Sequence, residues 1–219
     1  MLKNVLKLFF ASAFLLASCA PSRVKLPSYE GKTFSEVLSG MENVSEVRTR
    51  FSIVFLKDGR ERKGEAALDI ARGGDMSLRI YSLGFLAMEL SSENGHIESS
   101  PPLDYRKYLV LTKGLRDCFF WWDMRTHALT ETDDHYVLSG SRRTVWVDKG
   151  SFLPVAQKIL LDDGGEIHIE YNRPAREGDN WFQSRVRIEY GGYSVLLTVS
   201  HMSLETGSSS LPQRRENHL

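Results

Sequence analysis

From Val44 onward the chain alternates hydrophobic and polar positions. In "SEVRTRFSIVFLKDG", Val47, Thr49, Phe51, Ile53 and Phe55 share one side of an extended strand, and Arg48, Arg50 and Ser52 share the other. Asp58-Gly59 is a hairpin signal, after which "KGEAALDIAR" returns with Ala66, Leu68 and Ile70 on one face. "GGD" turns, "MSLRIYS" presents Met76, Leu78 and Ile80, "LGF" turns again, "LAMELSS" runs on, and Glu93-Asn94-Gly95 closes a further hairpin. This pattern predicts an antiparallel meander. Before it, Phe34, Val37, Leu38 and Met41 recur at three and four, which predicts a short amphipathic helix capped by Thr33 or Ser35.

Pro101 and Pro102 end the meander, because proline cannot donate to a strand ladder. Tyr105, Tyr108, Leu109, Leu111, Thr112 and Leu115 then fit helical spacing, and "THALTETDD" reads as a loop. Strands resume in "HYVLSGS", "RTVWVDKG", "LPVAQKILLDD", "GEIHIEY", "FQSRVRIEYGG" and "YSVLLTVSHMSLE". In two of them Ile167, Ile169 and Tyr171 oppose Glu166, His168 and Glu170, and Val186, Ile188 and Tyr190 oppose Arg185, Arg187 and Glu189.

The expected class is therefore mainly β (α+β), an antiparallel sheet of about eleven strands that must curl because long twisted sheets do not stay flat. A single apolar face favours curling around that face into an incomplete β-barrel, with the helices covering the concave side. Phe51, Ile53, Phe55, Leu68, Ile80, Ile169, Val186 and Ile188 are the expected lining, and such a surface suits an apolar ligand.

The amino terminus changes the setting. Lys3 and Lys7 precede "LFFASAFLLA", an apolar run shorter than the roughly 20 residues a membrane-spanning helix needs. This is the layout of a secretory signal peptide. Leu16-Ala17-Ser18-Cys19 resembles the lipobox of bacterial lipoproteins, which implies cleavage before Cys19 and acylation of that residue. An ordinary signal peptide that happens to contain a cysteine is the competing reading. Two or more acyl chains would anchor the chain stably without any spanning helix. Ala20 follows in place of Asp, and by resemblance to enterobacterial lipoproteins this implies the outer membrane, periplasmic face. The organisation is then signal peptide 1–18, lipidated tether 19–32, half-barrel domain 33–205 and a polar, disordered tail 206–219.

Composition narrows function mainly by exclusion. Loss of residues 1–18 from the 219 leaves 201, a length suited to one domain. The whole chain balances 28 basic against 28 acidic residues, so losing Lys3 and Lys7 leaves a net charge of −2. That offers no electrostatic case for binding nucleic acid. Beyond Cys19 only Cys118 remains, in the apolar "RDCFFWWDM", and it is expected to be a buried small hydrophobe.

Strand order and anchor together resemble the LolA/LolB superfamily over roughly residues 34–204, best in "VSEVRTRFSIVF", "LRIYSLGFLAMEL" and "SFLPVAQKILLDDGGEIHIEYN". The resemblance implies a cavity for the acyl chains of lipoproteins or lipids, a LolA-like periplasmic carrier as partner, and a LolB-like role in receiving and inserting lipoproteins. It also implies that the turn Leu83-Gly84, followed by Phe85, touches the membrane, although Ser82 stands where the family has Pro. Inward folding of Leu83 and Phe85 as core is the alternative. A structural or assembly lipoprotein with a filled barrel is a rival function, and a lipid hydrolase a third.

Enzyme chemistry is not expected. His96, His127, His135, His168, His201 and His218 lack zinc-site spacing. "SGS" at 139–141 lacks the nucleophile-elbow pattern, "DDGGE" lacks a full calcium loop, and no cofactor or metal site is legible. Trp121 and Trp122 fit either helix-to-barrel packing or the mouth of the cavity at a membrane interface.

Overall fold

A computed structural model describes residues 26, 27, 29, 31–124 and 126–207. The expectations for the signal peptide, for Cys19 and for most of the tether and tail lie outside the described residues.

The amphipathic segment forms helix α1 (Phe34–Met41), closed at its start by a capping box. Glu36 N–H donates to Thr33 Oγ1 (3.3 Å) and Thr33 N–H to Glu36 Oε2 (2.7 Å), so two donors at the helix start are satisfied reciprocally. Phe34 stacks on Tyr136 with ring centroids 4.5 Å apart, which pins α1 over the late strands.

Among the described residues twelve antiparallel strands follow: β1 (Val44–Lys57), β2 (Arg60–Ala71), β3 (Met76–Ser82), β4 (Phe85–Glu93), β5 (His96–Ser100), β6 (Ala128–Glu131), β7 (His135–Ser139), β8 (Arg143–Asp148), β9 (Pro154–Leu160), β10 (Glu166–Glu177), β11 (Asn180–Tyr190) and β12 (Tyr193–Thr206). They form one sheet in the order β5-β4-β3-β2-β1-β12-β11-β10-β9-β8-β7-β6. The two meanders join where β1 pairs with β12, and β5 and β6 are left as the two edges, so the barrel is not closed.

One strand more than expected is present. The segment read as a loop contains β6, whose four residues are all exposed and pair with β7. A strand that buries neither face carries no apolar alternation, so its pattern is that of a loop.

The chain between the two edge strands is helical, as its spacing predicts. Here α2 (Tyr105–Leu109), a π-helical stretch (Val110–Gly114) and α3 (Leu115–Phe119) run on as one element. Because it links β5 to β6, it must cross the open side of the sheet from edge to edge. Its residues Val110, Leu111, Leu115, Phe119, Phe120 and Trp122 are buried in the same cluster as the inner faces of both meanders. Gly114 lets the π-helical stretch approach β11: a Cβ there would lie 3.1 Å from Ile188 Cγ2.

Candidate functional site

Seven of the eight residues expected to line a cavity, from Phe51 to Ile188, are buried on the concave face, and Phe55 is half-buried beneath Lys107. In this conformation the helical element fills the space they enclose. Phe119 lies against Phe51 (6.0 Å between centroids), and Trp121 meets Trp122 edge-on at 5.6 Å. Both tryptophans are buried, so packing rather than exposure accounts for them here. One small space of about 30 Å³ is bordered by Cys118, Trp122, Tyr171, Gln183, Val186 and Met202 among others. That is room enough for a water, which needs roughly 10–15 Å³ on this measure. Among the described residues Trp122 Nε1 and Gln183 Oε1, both at this space, have no hydrogen-bond partner. One unpaired donor and one unpaired acceptor give the interior a polar spot in apolar surroundings.

A buried charge network holds the far end of the plug, and the alternation pattern gave no hint of it. Arg143, on β8, donates from Nη2 to the carbonyls of Asp117 (3.1 Å) and Phe120 (2.7 Å), and from Nη1 to that of Asp123 (3.2 Å). The same guanidinium lies 3.3 Å from the Asp117 carboxylate, which also receives Arg116 (2.8 Å) and Lys113 (3.4 Å). Arg116 and Arg72 both reach Asp123, tying the network to the end of β2. Gln157 completes it with its amide turned so that the oxygen accepts from Arg143 Nε (2.9 Å) and the nitrogen donates to Asp117 O (3.2 Å), an orientation that pairs donors with acceptors. Burial pushes the Asp117 carboxyl up, but Arg143, Lys113 and Arg116 outweigh burial and hold it below the ordinary carboxylate range. Burial raises the Cys118 thiol well above its usual range, so it is an unreactive neighbour rather than a nucleophile.

The near end of the plug is held by contacts of exposed Asp104 and Arg106 instead. Asp104 accepts a hydrogen bond from Tyr193 Oη (2.5 Å) while capping Lys107 N–H (3.0 Å), and Arg106 donates to Gly191 O (2.8 Å).

At the β3–β4 hairpin the residues of the singled-out turn face solvent: Leu83 is 95% and Phe85 78% exposed. Leu83 and Gly84 both have positive φ (52° and 83°), the signature of a type I′ turn, which suits glycine and strains leucine. With Leu86 they form an exposed apolar tip.

Among the described residues, no group of three or more His, Cys, Asp or Glu is placed to hold a metal. His96, His168 and His201 lie 3.3 Å from Glu98, Glu166 and Glu177 at the surface. No described helix is long and apolar enough to cross a membrane.

No family model matches the chain, and no curated protein matches it. Solved structures do. A LolA superfamily protein from Nitrosomonas europaea superposes with a TM-score of 0.56 at 12% identity, over 81% of this chain and 96% of that one. A DUF1329 family protein from Desulfovibrio piger superposes with a TM-score of 0.52 at 10% identity, over 80% of this chain and 92% of that one. The unclosed sheet and its covering helix are thus similar in fold to that LolA superfamily protein.

Proposed function

We propose that this protein is a lipid-anchored receptor or carrier at the periplasmic face of the bacterial outer membrane, with a LolB-like role. It takes the acyl chains of lipoproteins or lipids from a LolA-like periplasmic carrier and delivers them to the membrane. The observation that carries this reading is topological. The helical element filling the apolar concave face is also the segment that bridges the two open sheet edges, so moving it exposes the lining without breaking the sheet.

The plug side chains pack directly on the apolar lining. Binding therefore replaces plug side chains with acyl methylenes on Phe51, Ile53, Leu68, Ile80, Ile169, Val186 and Ile188. Each methylene buried contributes about 0.8 kcal/mol, which offsets the apolar contacts the plug gives up. The Asp104–Tyr193 and Arg106–Gly191 contacts each have one exposed partner, Asp104 and Arg106, and yield before the buried Asp117–Arg143 pair. The near half thus swings while the far half stays fixed, with the π-helical stretch between them. Leu83, Gly84 and Phe85 touch the bilayer during delivery, and Cys19 carries the anchor.

The filled interior equally favours a second reading, a structural or assembly lipoprotein that keeps the fold and carries no cargo. Native mass spectrometry of the full chain extracted from membranes separates the two. Acyl-bearing species, or their appearance after lipid is added, support the carrier. Only empty protein after lipid addition overturns it.

A further inference from the structure

We propose that the convex face of the sheet, opposite the plug, is a second lipid site that binds one anionic phospholipid, its phosphate on Arg173, Arg185 and Arg187 and one acyl chain lying towards Leu83. Strand register builds the site. Glu170, Arg187, Leu196, Val54 and Lys63 are successive partners across β10, β11, β12, β1 and β2, all with outward side chains. Ser82 Oγ donates to Lys63 O and brings the Leu83 turn to the end of that row. A parallel row runs Asn172, Arg185, Thr198, Ser52, Glu65, Tyr81.

Two hollows lie over these rows and share Leu196. The larger, about 770 Å³, has the apolar side chains Val54, Leu56, Tyr81, Leu83 and Leu196 in its wall. Its charged rim is Glu61, Lys63 and Glu65, of which Lys63 and Glu61 neutralise each other at 2.9 Å. The smaller, about 400 Å³, holds three arginines against the single carboxylate of Glu170. Among the described residues neither Arg173 nor Arg185 has a carboxylate within 4.0 Å, and Arg187 has only Glu189 at 3.6 Å. One continuous trough thus has a cationic end and an apolar end. At about 4.8 Å per strand, the four steps from Arg187 to the turn span about 19 Å, more than half the roughly 30 Å hydrocarbon core of a bilayer. The charge asymmetry selects an anionic amphiphile over a zwitterionic one.

Backbone strain marks both ends. Strict alternation after Tyr171 (in) and Asn172 (out) would turn Arg173 inward. Instead its φ is 60°, its register partner is skipped, and it joins Arg185 and Arg187 around the same hollow. At the other end Leu83 has a φ of 52°. Non-glycine residues in this region persist where the surroundings enforce them, and they concentrate at ligand clamps.

The test uses the full chain in phosphatidylcholine nanodiscs doped with phosphatidylglycerol, with a benzophenone amino acid replacing Leu196, read by mass spectrometry of the photoadducts. The expected result is phosphatidylglycerol adducts in excess of phosphatidylcholine adducts, falling about tenfold in Arg173→Gln/Arg185→Gln, as loss of charge-assisted hydrogen bonds predicts. A Val54→Asp variant is expected to lose them while the Arg residues remain. No adducts, equal yields from the two lipids, or yields indifferent to the arginines would overturn the proposal. So would suppression by millimolar inorganic phosphate alone, which would mean a bare anion site. The interior reading is unaffected by any of these outcomes, because a probe at Phe51 reports that face separately.

Discussion

Asp117 and Arg143 meet at 3.3 Å inside the protein, one on the helix that crosses the open barrel and the other on β8. This contact decides which end of the plug is fixed. Arg143 also holds three backbone carbonyls of the plug, so its removal strands several buried acceptors at once. Replacing Arg143 with Met is expected to cost about 3–5 kcal/mol, as breaking one partner out of a buried ion pair does. Urea unfolding measures it. A loss below about 1 kcal/mol would show that the network is not what fixes this end.

The same pair sets an acid dependence. Asp117 is held below its ordinary value, which is about 3.9 in an unfolded chain. The stability it supplies is therefore present above about pH 4 and is lost as pH falls through the folded value. Glu36, Glu166 and Glu177, nearer the surface, are shifted the same way. The informative quantity is thus the difference between the natural chain and Asp117→Asn: large at pH 7 and shrinking towards pH 3. A constant difference across that range would contradict the assignment.

Cys118 tests whether the far half of the plug stays fixed. The thiol is buried beside Asp117 and burial keeps it protonated, so maleimide labelling at this position is expected to be slow. Peptide-resolved labelling should stay slow when acyl lipid is added to the full chain, while a cysteine placed at Leu109 in the near half should label faster. Acceleration at Cys118, or an unchanged rate at position 109 with bound lipid, would contradict this division of the plug.

Leu83 trades stability for contact. Asn or Gly at this left-handed position relieves a cost of about 1 kcal/mol, so Leu83→Asn is expected to raise the melting temperature by a few degrees. Leu83→Glu is expected to leave stability within about 0.5 kcal/mol, since the side chain touches little of the fold. Both should weaken transfer of lipoprotein to vesicles. Full transfer by Leu83→Glu would remove the turn from the mechanism.

Gly64 sets the closeness of β2 to β3. A Cβ there would come within 2.7 Å of Tyr81 O and 2.9 Å of Ile80 Cγ2. Gly64→Ala is expected to cost about 1–3 kcal/mol through overpacking and to disturb the wall of the convex trough. Thermal unfolding checks it, and a neutral result would show that β3 can shift freely.

The spacing of hydrophobic positions by itself determined nearly all strands, both helical segments and the inward set from Phe51 to Ile188, because a half-buried strand writes a period of two into the chain and a half-buried helix one of about 3.6. It could not show β6, which buries neither face. The Leu83-Gly84 turn stood out because large apolar residues at a turn tip break the local rule, yet its exposure depended on where the hairpin points. Tertiary structure alone decided that β5 and β6 are the edges, that the helix between them therefore crosses and fills the concave side, and that Asp117 finds Arg143. Burial of a charge pair leaves no periodic trace, since it depends on which distant strands the sheet brings together rather than on spacing along the chain.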